Sequence, residues 1–356
     1  MTGSESRDQS TELAARVRAA SAAAEALEIV GGASKRFLGR AAGGTPLAVG
    51  AHTGIVSYEP TELVITARGG TPLAELRQTL AEHEQMLAFE PPAFGPAATI
   101  GGTVACGLSG PRRPWAGALR DFVLGVKILN GRGEILHFGG QVMKNVAGYD
   151  LSRLMAGAMG TLGVLLEVSL KVLPRPSTEW SLGFELDPAA AVARVNAWSG
   201  RPLPLSGACH DGTRLRIRLS GTANGVATAA RRLGGERLDT DAFWDELREQ
   251  RLPFFAGERP LWRLSLPPAA EPAALDGAEL CDWGGAQRWL RSDTDAAKIR
   301  AAAARLGGQA TLFRHGDRHT SVYHPLPPAL MVIHQRLKAA LDPNGILNPG
   351  RLYPEL

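Results

Sequence analysis

Hydrophobic positions in the first half of the chain follow two different periods. Apolar residues recur every three to four positions between 11 and 27, which predicts a helix there. A second helix is expected at Thr71-Pro72, with Thr71 as N-cap, Pro72 at the first helical position and a leucine face behind them. Short β-branched and apolar runs predict strands at 28–30, 47–49, 55–58, 63–66, 122–129, 134–138 and 164–172, and Asn130-Gly131 predicts a hairpin turn between two of them.

The pattern changes after Pro174 and Pro176, which indicate a boundary between two units. Strand-like runs then alternate with Ala-rich helical runs, and this rhythm predicts helices packed on an antiparallel sheet, ferredoxin-like in kind. The expected strands are at 180–186, 207–210, 215–219, 261–266 and 311–314, and the expected helices are at 189–199, 226–233, 295–306 and 327–341.

Composition limits the classes of function. A net charge of +4 over 356 residues argues against a broad nucleic-acid-binding surface. The three cysteines lie far apart without C-x-x-C spacing, which argues against a disulfide framework, a zinc site or a cysteine-ligated iron–sulfur cluster. The N-terminus has no apolar core typical of a signal peptide, and no run is long enough to cross a bilayer. These features predict a cytoplasmic protein with reduced thiols.

Glycine and proline are concentrated at a few places. In 90–110, prolines hold the backbone extended and are followed by glycines and small residues, which suits a chain lying against a flat ligand. An irregular surface loop is the alternative. The run Gly31–Arg36 follows a strand and has the composition of a phosphate cradle or, alternatively, of a plain basic turn. Neither G-x-G-x-x-G nor the P-loop motif occurs. Two further glycine-rich segments lie at 157–164 and 342–351.

In chain order, the segments 31–36, 99–110, 150–164 and 342–351 resemble the FAD-binding motifs of the vanillyl-alcohol-oxidase type flavoproteins, whose flavin domain is of PCMH type. The runs 59–68, 104–107, 110–115, 142–155, 252–255 and 282–286 are more specific and resemble the FAD-binding subunits of bacterial glycolate oxidases, also called glycolate dehydrogenases. The resemblance covers nearly all of the chain after the first dozen residues.

This resemblance implies an α+β fold in three parts. A PCMH-type FAD-binding domain of two α+β subdomains is expected over 1–175, and a ferredoxin-like α+β cap domain over 176–326. A C-terminal helix and tail over 327–356 would return to the FAD domain.

The resemblance also implies where FAD binds. The diphosphate is expected near 31–36 and 99–102, and the ribityl chain and ring near 105–107 and 160–164, with Pro91 holding the intervening loop. Backbone N–H groups near the flavin N1 and C2=O would stabilise the reduced anion, while the redox chemistry belongs to the flavin. The residues expected to bind FAD are Gly31, Gly32, Ala33, Ser34, Lys35, Pro91, Thr99, Ile100, Gly101, Gly102, Ala105, Cys106, Gly107, Gly160, Thr161, Gly163 and Val164.

Relatives of this kind transfer a hydride from a 2-hydroxy acid to the flavin, while a base in the cap takes the hydroxyl proton. The resemblance therefore implies glycolate as substrate and glyoxylate as product. It also implies two partners, a flavin-containing catalytic subunit and an iron–sulfur subunit. Through such partners the protein would lie in the cytoplasm or peripherally at the inner membrane.

The sequence departs from the hydroxy-acid-oxidising relatives in the cap. Their metal-binding G-D-G-N-x-H stretch is absent, and the nearest run, Arg314–His319 with His324 beyond it, has a different spacing. A polar loop without a metal is therefore expected there, and no catalytic residue is assigned. Cys106 and His52 are the candidates for a covalent flavin link, but a small buried cysteine and noncovalent FAD are expected.

Several residues keep two interpretations. Arg153, Arg351, Tyr149 and Asn348 either face substrate or partner or make structural contacts. The aromatic runs 114–115 and 252–255 are either partner anchors or ordinary core.

Three functions stay open at this point. The chain is a FAD subunit of a multi-subunit glycolate dehydrogenase, a self-sufficient FAD alcohol or 2-hydroxy-acid oxidase, or a non-catalytic assembly subunit that retains the flavin fold. The missing cap motif disfavours the self-sufficient oxidase, and any iron–sulfur relay must lie in another chain because this one has no cysteine cluster.

Overall fold

The computed structural model describes residues 6–41, 43–140, 150–239 and 241–356. The helices in these ranges are α1 (Ser10–Ala22), α2 (Leu73–Ala81), α3 (Ile100–Cys106), α4 (Arg113–Ala116), α5 (Leu119–Phe122), α6 (Leu151–Leu154), α7 (Pro188–Ser199), α8 (Ala223–Leu233), α9 (Asp241–Arg248), α10 (Ala296–Arg305) and α11 (Pro328–Leu341). No helix in the described ranges is long and apolar enough to cross a membrane.

The strands are β1 (Leu27–Val30), β2 (Thr45–Ala48), β3 (Ile55–Glu59), β4 (Val64–Arg68), β5 (Gln85–Met86), β6 (Val123–Leu129), β7 (Ile135–Gly139), β8 (Val164–Lys171), β9 (Leu173–Pro174), β10 (Thr178–Phe184), β11 (Leu205–His210), β12 (Leu215–Gly221), β13 (Glu236–Leu238), β14 (Leu261–Ser265), β15 (Ala278–Asp282), β16 (Gln287–Arg291) and β17 (Gln309–Arg314). Short 3₁₀ turns lie at Pro60–Glu62, Pro253–Phe255 and Trp283–Gly285.

The first half of the chain forms a five-stranded antiparallel sheet in the order β3-β4-β8-β6-β7. The central strand β8 is buried on both faces, as its almost continuous apolar sequence requires, whereas the edge strand β7 alternates between exposed and half-buried positions. Helices α2 and α3 pack on this sheet through Leu76, Leu80 and Val104. The predicted hairpin at Asn130-Gly131 joins β6 to β7.

The second half forms an eight-stranded antiparallel sheet in the order β13-β10-β12-β11-β15-β16-β14-β17. Helices α7 and α8 cover the part of the sheet around β10–β12, and α10 covers the part around β14 and β17. The strand and helical runs after Pro176 therefore form helices packed on an antiparallel sheet, as predicted.

Polar and apolar contacts join the two sheets. Glu90, before the proline-rich stretch, accepts hydrogen bonds from Arg218 on β12 at 2.8 and 2.9 Å and from Arg112 at 3.0 and 3.2 Å. Burial would raise the pKa of Glu90, but the two guanidinium groups outweigh it and hold the pKa below its usual range. The Trp283 indole donates to the Gly110 carbonyl at 3.0 Å. The segment 90–113 is thereby fixed between the two sheets.

The structure differs from three local predictions. Helix α1 ends at Ala22 rather than near Leu27, because Leu27 begins β1 and its N–H donates to Ile346 O at 2.7 Å. Thr71 is not a helix cap, because its hydroxyl pairs with Gly54, and Pro72 stands at the N-cap position of α2. In the stretch 90–110, where no helix was predicted, Ile100–Cys106 forms a helix with Thr99 as its cap. Tyr149 and part of the run 142–155 lie outside the described residues.

The C-terminal tail returns to the first sheet and to the β1–β2 pair. The Lys338 ammonium on α11 donates to Thr161 O, Asp342 Oδ2 and Leu347 O, at 2.7 to 2.8 Å. Leu347 forms a parallel bridge with Leu27. The tail is therefore part of the core around α1 and β1.

Candidate functional site

The loop after β1 brings a row of free backbone donors to the wall of a cavity. The N–H groups of Gly32, Ala33, Ser34 and Lys35 have no hydrogen-bond partner among the described residues, and Ala33 has a positive φ of 55°. Successive donors in such a turn form a concave site that binds anions. Ser34 adds a hydroxyl to the same wall.

The second wall is helix α3. Thr99 caps it by accepting a hydrogen bond from Gly102 N at 3.2 Å, which orients the first turn toward the loop after β1. Gly102, Ala105 and Cys106 line the cavity, whereas Ile100, Thr103 and Val104 are buried against the first sheet.

Glycine has different roles at the two walls. A Cβ on Gly32 would lie 1.4 Å from Ala97 O, so this glycine allows the loop to pack against the proline-rich stretch. A Cβ on Gly102 would meet Thr99 Oγ1 at 3.2 Å and, apart from the helix backbone, nothing else within 4 Å. Gly102 thus leaves open space on the cavity side.

The third wall comes from the C-terminal tail. Asn348 accepts from Ile29 N at 2.7 Å and donates to Met159 O at 2.6 Å, so one amide joins β1, the glycine segment before β8 and the tail. Arg351 donates to the carbonyls of Arg40 and Arg36 at 2.9 and 2.8 Å. Both residues were left open by the sequence, and they combine structural hydrogen bonds with a place in the cavity wall.

We call the space between these walls the main cavity. Its volume is about 100 Å³. Its lining consists of Glu28, Ile29, Val30, Gly31, Gly32, Ala33, Ser34, Lys35, Arg36, Thr99, Gly102, Ala105, Cys106, Met159, Asn348 and Arg351.

The electrostatics of the main cavity favour an anion. Lys35 is buried, its ammonium donates to Ala93 O at 3.2 Å, and burial lowers its pKa. Arg36 forms a two-bond ion pair with Glu28, at 2.6 and 2.9 Å. Burial raises the pKa of the Cys106 thiol to about 11, so the thiol is protonated at neutral pH and is a poor nucleophile.

A wider groove of about 410 Å³ continues from the main cavity, with which it shares Glu28, Arg36 and Arg351. We call it the basic groove, because it adds Arg40 and Arg318 and contains Glu28 as its one carboxylate among the described residues. Burial, reinforced by Arg351, lowers the pKa of Arg318 to about 10. A cleft with this excess of positive charge attracts anionic ligands.

An aromatic wall joins this region to the second sheet, which contributes Phe313 on β17 and Trp289 on β16. The Phe37 ring contacts Phe94 and Phe313 with centroid distances of 5.4 and 5.7 Å, and Phe313 contacts Trp289 at 4.8 Å. The Arg314 guanidinium lies 3.6 Å from the Phe37 centroid.

Behind the aromatic wall lies a cavity of about 30 Å³ between residues 108–111 and the second sheet, which we call the small cavity. Asp282 lines it, accepts from Trp283 N at 2.7 Å and from Gln287 Nε2 at 3.2 Å, and burial raises its pKa to about 7.

The expected FAD-binding residues fall into two groups. The main cavity contains Gly31, Gly32, Ala33, Ser34, Lys35, Thr99, Gly102, Ala105 and Cys106. The other eight do not line it. Pro91 lines a separate groove of about 930 Å³ between the two sheets. Ile100 and Gly101 face the first sheet, Gly107 ends α3 against Gly157, and Gly160, Thr161, Gly163 and Val164 lie behind the cavity, where Gly160 packs on Asn348.

Other candidates from the sequence have structural roles. His52 is fully buried, with Nδ1 accepting from Gln9 N and Nε2 bonded to Leu166 O, each at 3.0 Å. Within the described ranges no group of three His, Cys, Asp or Glu side chains is placed to hold a metal. Arg153 pairs with Asp150 on the surface. Leu252, Phe255 and Trp115 pack into hydrophobic clusters, so the ordinary-core interpretation applies to both aromatic runs.

Sequence reasoning missed several cavity residues as ligand contacts. Ile29 and Val30 lie in the strand directly before Gly31, and Met159 directly precedes Gly160. Their position next to expected FAD-binding residues could have identified them as cavity residues. Asn348 and Arg351 were not missed, because the sequence left open whether they face substrate or partner or make structural contacts, but no local feature placed them opposite Ile29.

Comparisons with known proteins match this architecture. A family model described as FAD binding domain matches residues 8–139, and one described as FAD linked oxidases, C-terminal domain, matches residues 287–352. The chain is 52% identical to glycolate oxidase subunit GlcE of Escherichia coli (strain K12), over 93% of each protein. It is 34% identical to glycolate oxidase subunit GlcD of Bacillus subtilis (strain 168), over 36% of this chain and 27% of that protein.

Among solved structures, p-cresol methylhydroxylase with substrate bound superposes with a TM-score of 0.70 at 15% identity, over 97% of this chain and 87% of that one. This similarity concerns the fold alone, and it confirms the predicted PCMH-type fold class.

Proposed function

The chain belongs to the family of FAD-linked oxidases that contains GlcE, and we propose that it is the FAD-binding subunit of a multi-subunit glycolate dehydrogenase. Its cofactor is FAD, and it is a FAD-dependent oxidoreductase, as the sequence resemblance predicted. The assembly would oxidise glycolate to glyoxylate and pass the electrons to an iron–sulfur subunit. The alternatives are a self-sufficient 2-hydroxy-acid or alcohol oxidase and a non-catalytic assembly subunit.

One observation carries the proposal: the free N–H groups of Gly32–Lys35 and the open side of Gly102 face each other across one cavity. Such donors suit the diphosphate of a dinucleotide, and Lys35 supplies compensating charge, whereas Arg36 is already paired with Glu28. The residues present therefore fit the diphosphate part of FAD. When bound, FAD supplies the two-electron redox chemistry.

The protein's own residues would hold and shield the cofactor. Thr99 fixes the first turn of α3, and Asn348 ties the tail to β1. The aromatic wall of Phe37, Phe94 and Phe313 would cover the side of the site toward the second sheet. The basic groove, with Arg40, Arg318 and Arg351, suits the approach of an anionic substrate or partner group.

The self-sufficient oxidase has one structural argument in its favour, which is Asp282 with its raised pKa. A base with a pKa near the working pH is suited to proton abstraction. However, the small cavity holds about two waters, because one water needs roughly 10–15 Å³. Both Asp282 oxygens already accept hydrogen bonds, and glycolate has five heavy atoms. The geometry therefore favours a subunit that depends on partners.

The experiment compares glycolate-driven dye reduction by the FAD-loaded chain alone and by the chain with its partner subunits. We expect the isolated chain to oxidise glycolate more slowly than the assembly. The difference in rate should be at least roughly 10²–10⁴-fold, because this is what a positioned acid–base group contributes. Asp282→Asn should leave the rate of the assembly unchanged. Equal turnover by the isolated chain, abolished by Asp282→Asn, would instead establish the self-sufficient oxidase.

A further inference from the structure

One buried ammonium in the wall of the main cavity has donors to spare. Lys35 is 7% exposed, and its Nζ donates to Ala93 O at 3.2 Å. Among the described residues nothing accepts the other two N–H bonds of this ammonium. Because a buried cation with free donors is unfavourable, these donors point to an anionic ligand in the cavity.

The carbonyl that holds Lys35 belongs to the peptide unit between Ala93 and Phe94. The N–H of the same unit, on Phe94, donates to Glu249 Oε2 at 2.8 Å. The C=O and N–H of a trans peptide point in opposite directions, so Lys35 and Glu249 bind opposite sides of one peptide unit. Hydrogen bonds in series polarise one another, and the carboxylate therefore makes the Ala93 carbonyl a stronger acceptor for the ammonium.

The Glu249 carboxylate is fixed and ionised. Its side chain is 8% exposed, and it also accepts from Ala93 N at 3.0 and 3.2 Å and from Arg248 Nε at 3.0 Å. Burial would raise the pKa of Glu249, but these N–H groups and that of Phe94 outweigh it and hold the pKa below its usual range. A full negative charge therefore lies behind the peptide unit at neutral pH.

Phe94 needs support from outside its own segment. Its φ is 53°, in the left-handed region that residues with a large side chain rarely adopt. The two successive N–H groups of Ala93 and Phe94 both bind the one carboxylate of Glu249, which holds the backbone in this shape. The orientation of the Ala93–Phe94 peptide is therefore set from the side of Glu249.

Glu249 is attached to the second sheet. It follows α9 directly, and α9 packs through Trp244 and Leu247 into the hydrophobic cluster that contains Phe313 of β17. Lys35, by contrast, lies in the loop after β1. Glu249 itself does not line the main cavity, so any effect on a ligand there must pass through the peptide unit.

We propose that Glu249 is a positioning residue for FAD, which acts through the Ala93–Phe94 peptide to hold Lys35 where its ammonium binds the cofactor diphosphate. This inference rests on the proposed function, which puts the diphosphate at the loop after β1. It follows that the second sheet contributes to FAD affinity through a residue outside the main cavity.

The test is a double-mutant cycle in the full-length chain, with FAD affinity measured by fluorescence titration. Lys35→Met removes the ammonium at similar size, and FAD should bind roughly 10- to 100-fold more weakly, as for the loss of a hydrogen bond to a charged group. Glu249→Gln keeps an oxygen for the two N–H groups but removes the charge. It should weaken binding roughly 5- to 10-fold, a typical coupling within one hydrogen-bond network. In the Lys35→Met background, Glu249→Gln should have almost no further effect.

Asp245→Asn is the matched control. Asp245 lies on α9 one turn before Glu249 and also pairs with Arg248, at 2.9 Å, but it makes no bond to the peptide unit between Ala93 and Phe94. The substitution removes the same charge from the same region and should leave FAD affinity unchanged. The melting temperature of each variant without FAD reports whether it is folded.

Glu249→Asp is a second variant, which also serves if Glu249→Gln does not fold. It keeps the charge, but its side chain is one carbon shorter and cannot reach both N–H groups. It should therefore weaken FAD binding, again only while Lys35 is present.

Three results would overturn the inference. The first is a folded Glu249→Gln variant that binds FAD as tightly as the unmodified chain. The second is an equal loss of affinity with and without Lys35, which would limit Glu249 to supporting the loop. In both cases the proposed function stands if Lys35→Met still weakens FAD binding. The third is unchanged FAD affinity in Lys35→Met, which would overturn the proposed position of the diphosphate together with the inference.

Discussion

Substituting Gly102 by valine tests the location of the cofactor site most directly. Gly102 is the third residue of α3, its N–H is bonded to the Thr99 cap, and its Cα faces the main cavity. Valine would place three additional carbons on that side, where the helix is held by the cap and by Val104 in the core. The cavity is only about 100 Å³, so the new side chain and the cofactor would compete for the same space.

The magnitude follows from the cost of overpacking. Extra carbons in a packed site cost about 1–3 kcal/mol, and each 1.4 kcal/mol is a factor of about ten in the dissociation constant. Three carbons on a rigid helix correspond to the upper part of this range. We therefore expect FAD to bind roughly 100-fold more weakly, so that the purified variant contains almost no flavin.

Gly225→Val is a matched control. Gly225 is also the third residue of a helix, and its N–H also donates to a threonine cap, Thr222, at 3.3 Å. A Cβ there would lie 3.0 Å from the cap oxygen, against 3.2 Å at Gly102, but Gly225 is exposed and lines no cavity described above. Any cost to the capped turn itself is therefore shared by both variants.

The assay measures FAD absorbance per chain after purification and FAD affinity by fluorescence titration. Circular dichroism and the melting temperature without FAD report whether each variant is folded. The reasoning is refuted if Gly102→Val binds FAD as tightly as Gly225→Val does.

Two further predictions concern the cofactor linkage and Asp282. Acid precipitation should release all FAD into the supernatant, and Cys106→Ser should not change that release, because the protonated thiol of Cys106 is a poor nucleophile; flavin retained in the pellet would indicate a covalent bond. Burial raises the pKa of Asp282 from 3.8 to about 7 in the folded state, so between these values the folded protein holds a proton that the unfolded protein has released. The stability of the folded protein therefore falls as the pH rises from about 4 to about 7, by up to about 4 kcal/mol. Urea unfolding of Asp282→Asn should lack this fall, and an equal pH dependence in both proteins would show that Asp282 is not its source.

The sequence predicted those parts of the fold that depend on neighbouring residues. The hairpin at Asn130-Gly131 and the glycine loop before Ser34 were found because turn chemistry acts over a few positions. Helix α3 was missed because Gly101 and Gly102 lower helix propensity, while the Thr99 cap and packing of Ile100 and Val104 stabilise it.

The site was predictable to a similar degree. The loop 31–35 and the first turn of α3 could be recognised locally, and the structure brings them together. The hydrogen bond between Ile29 and Asn348 joins residues 319 positions apart, and no periodicity in the sequence contains that information. Likewise, Leu252–Phe255 could be recognised as an aromatic cluster, but its burial against Trp289 depends on the second sheet.

The distance in sequence between Ile29 and Asn348 has a consequence for biosynthesis. The cavity wall uses residues from 28 to 351, so a nascent chain on the ribosome cannot complete it until the tail has emerged. Strand β1 is synthesised early, but the Leu27 N–H can form its hydrogen bond to Ile346 O only after the tail has been synthesised. FAD would then bind among the last steps of maturation. The concentration of FAD in the cell would therefore affect the fully synthesised chain rather than its synthesis.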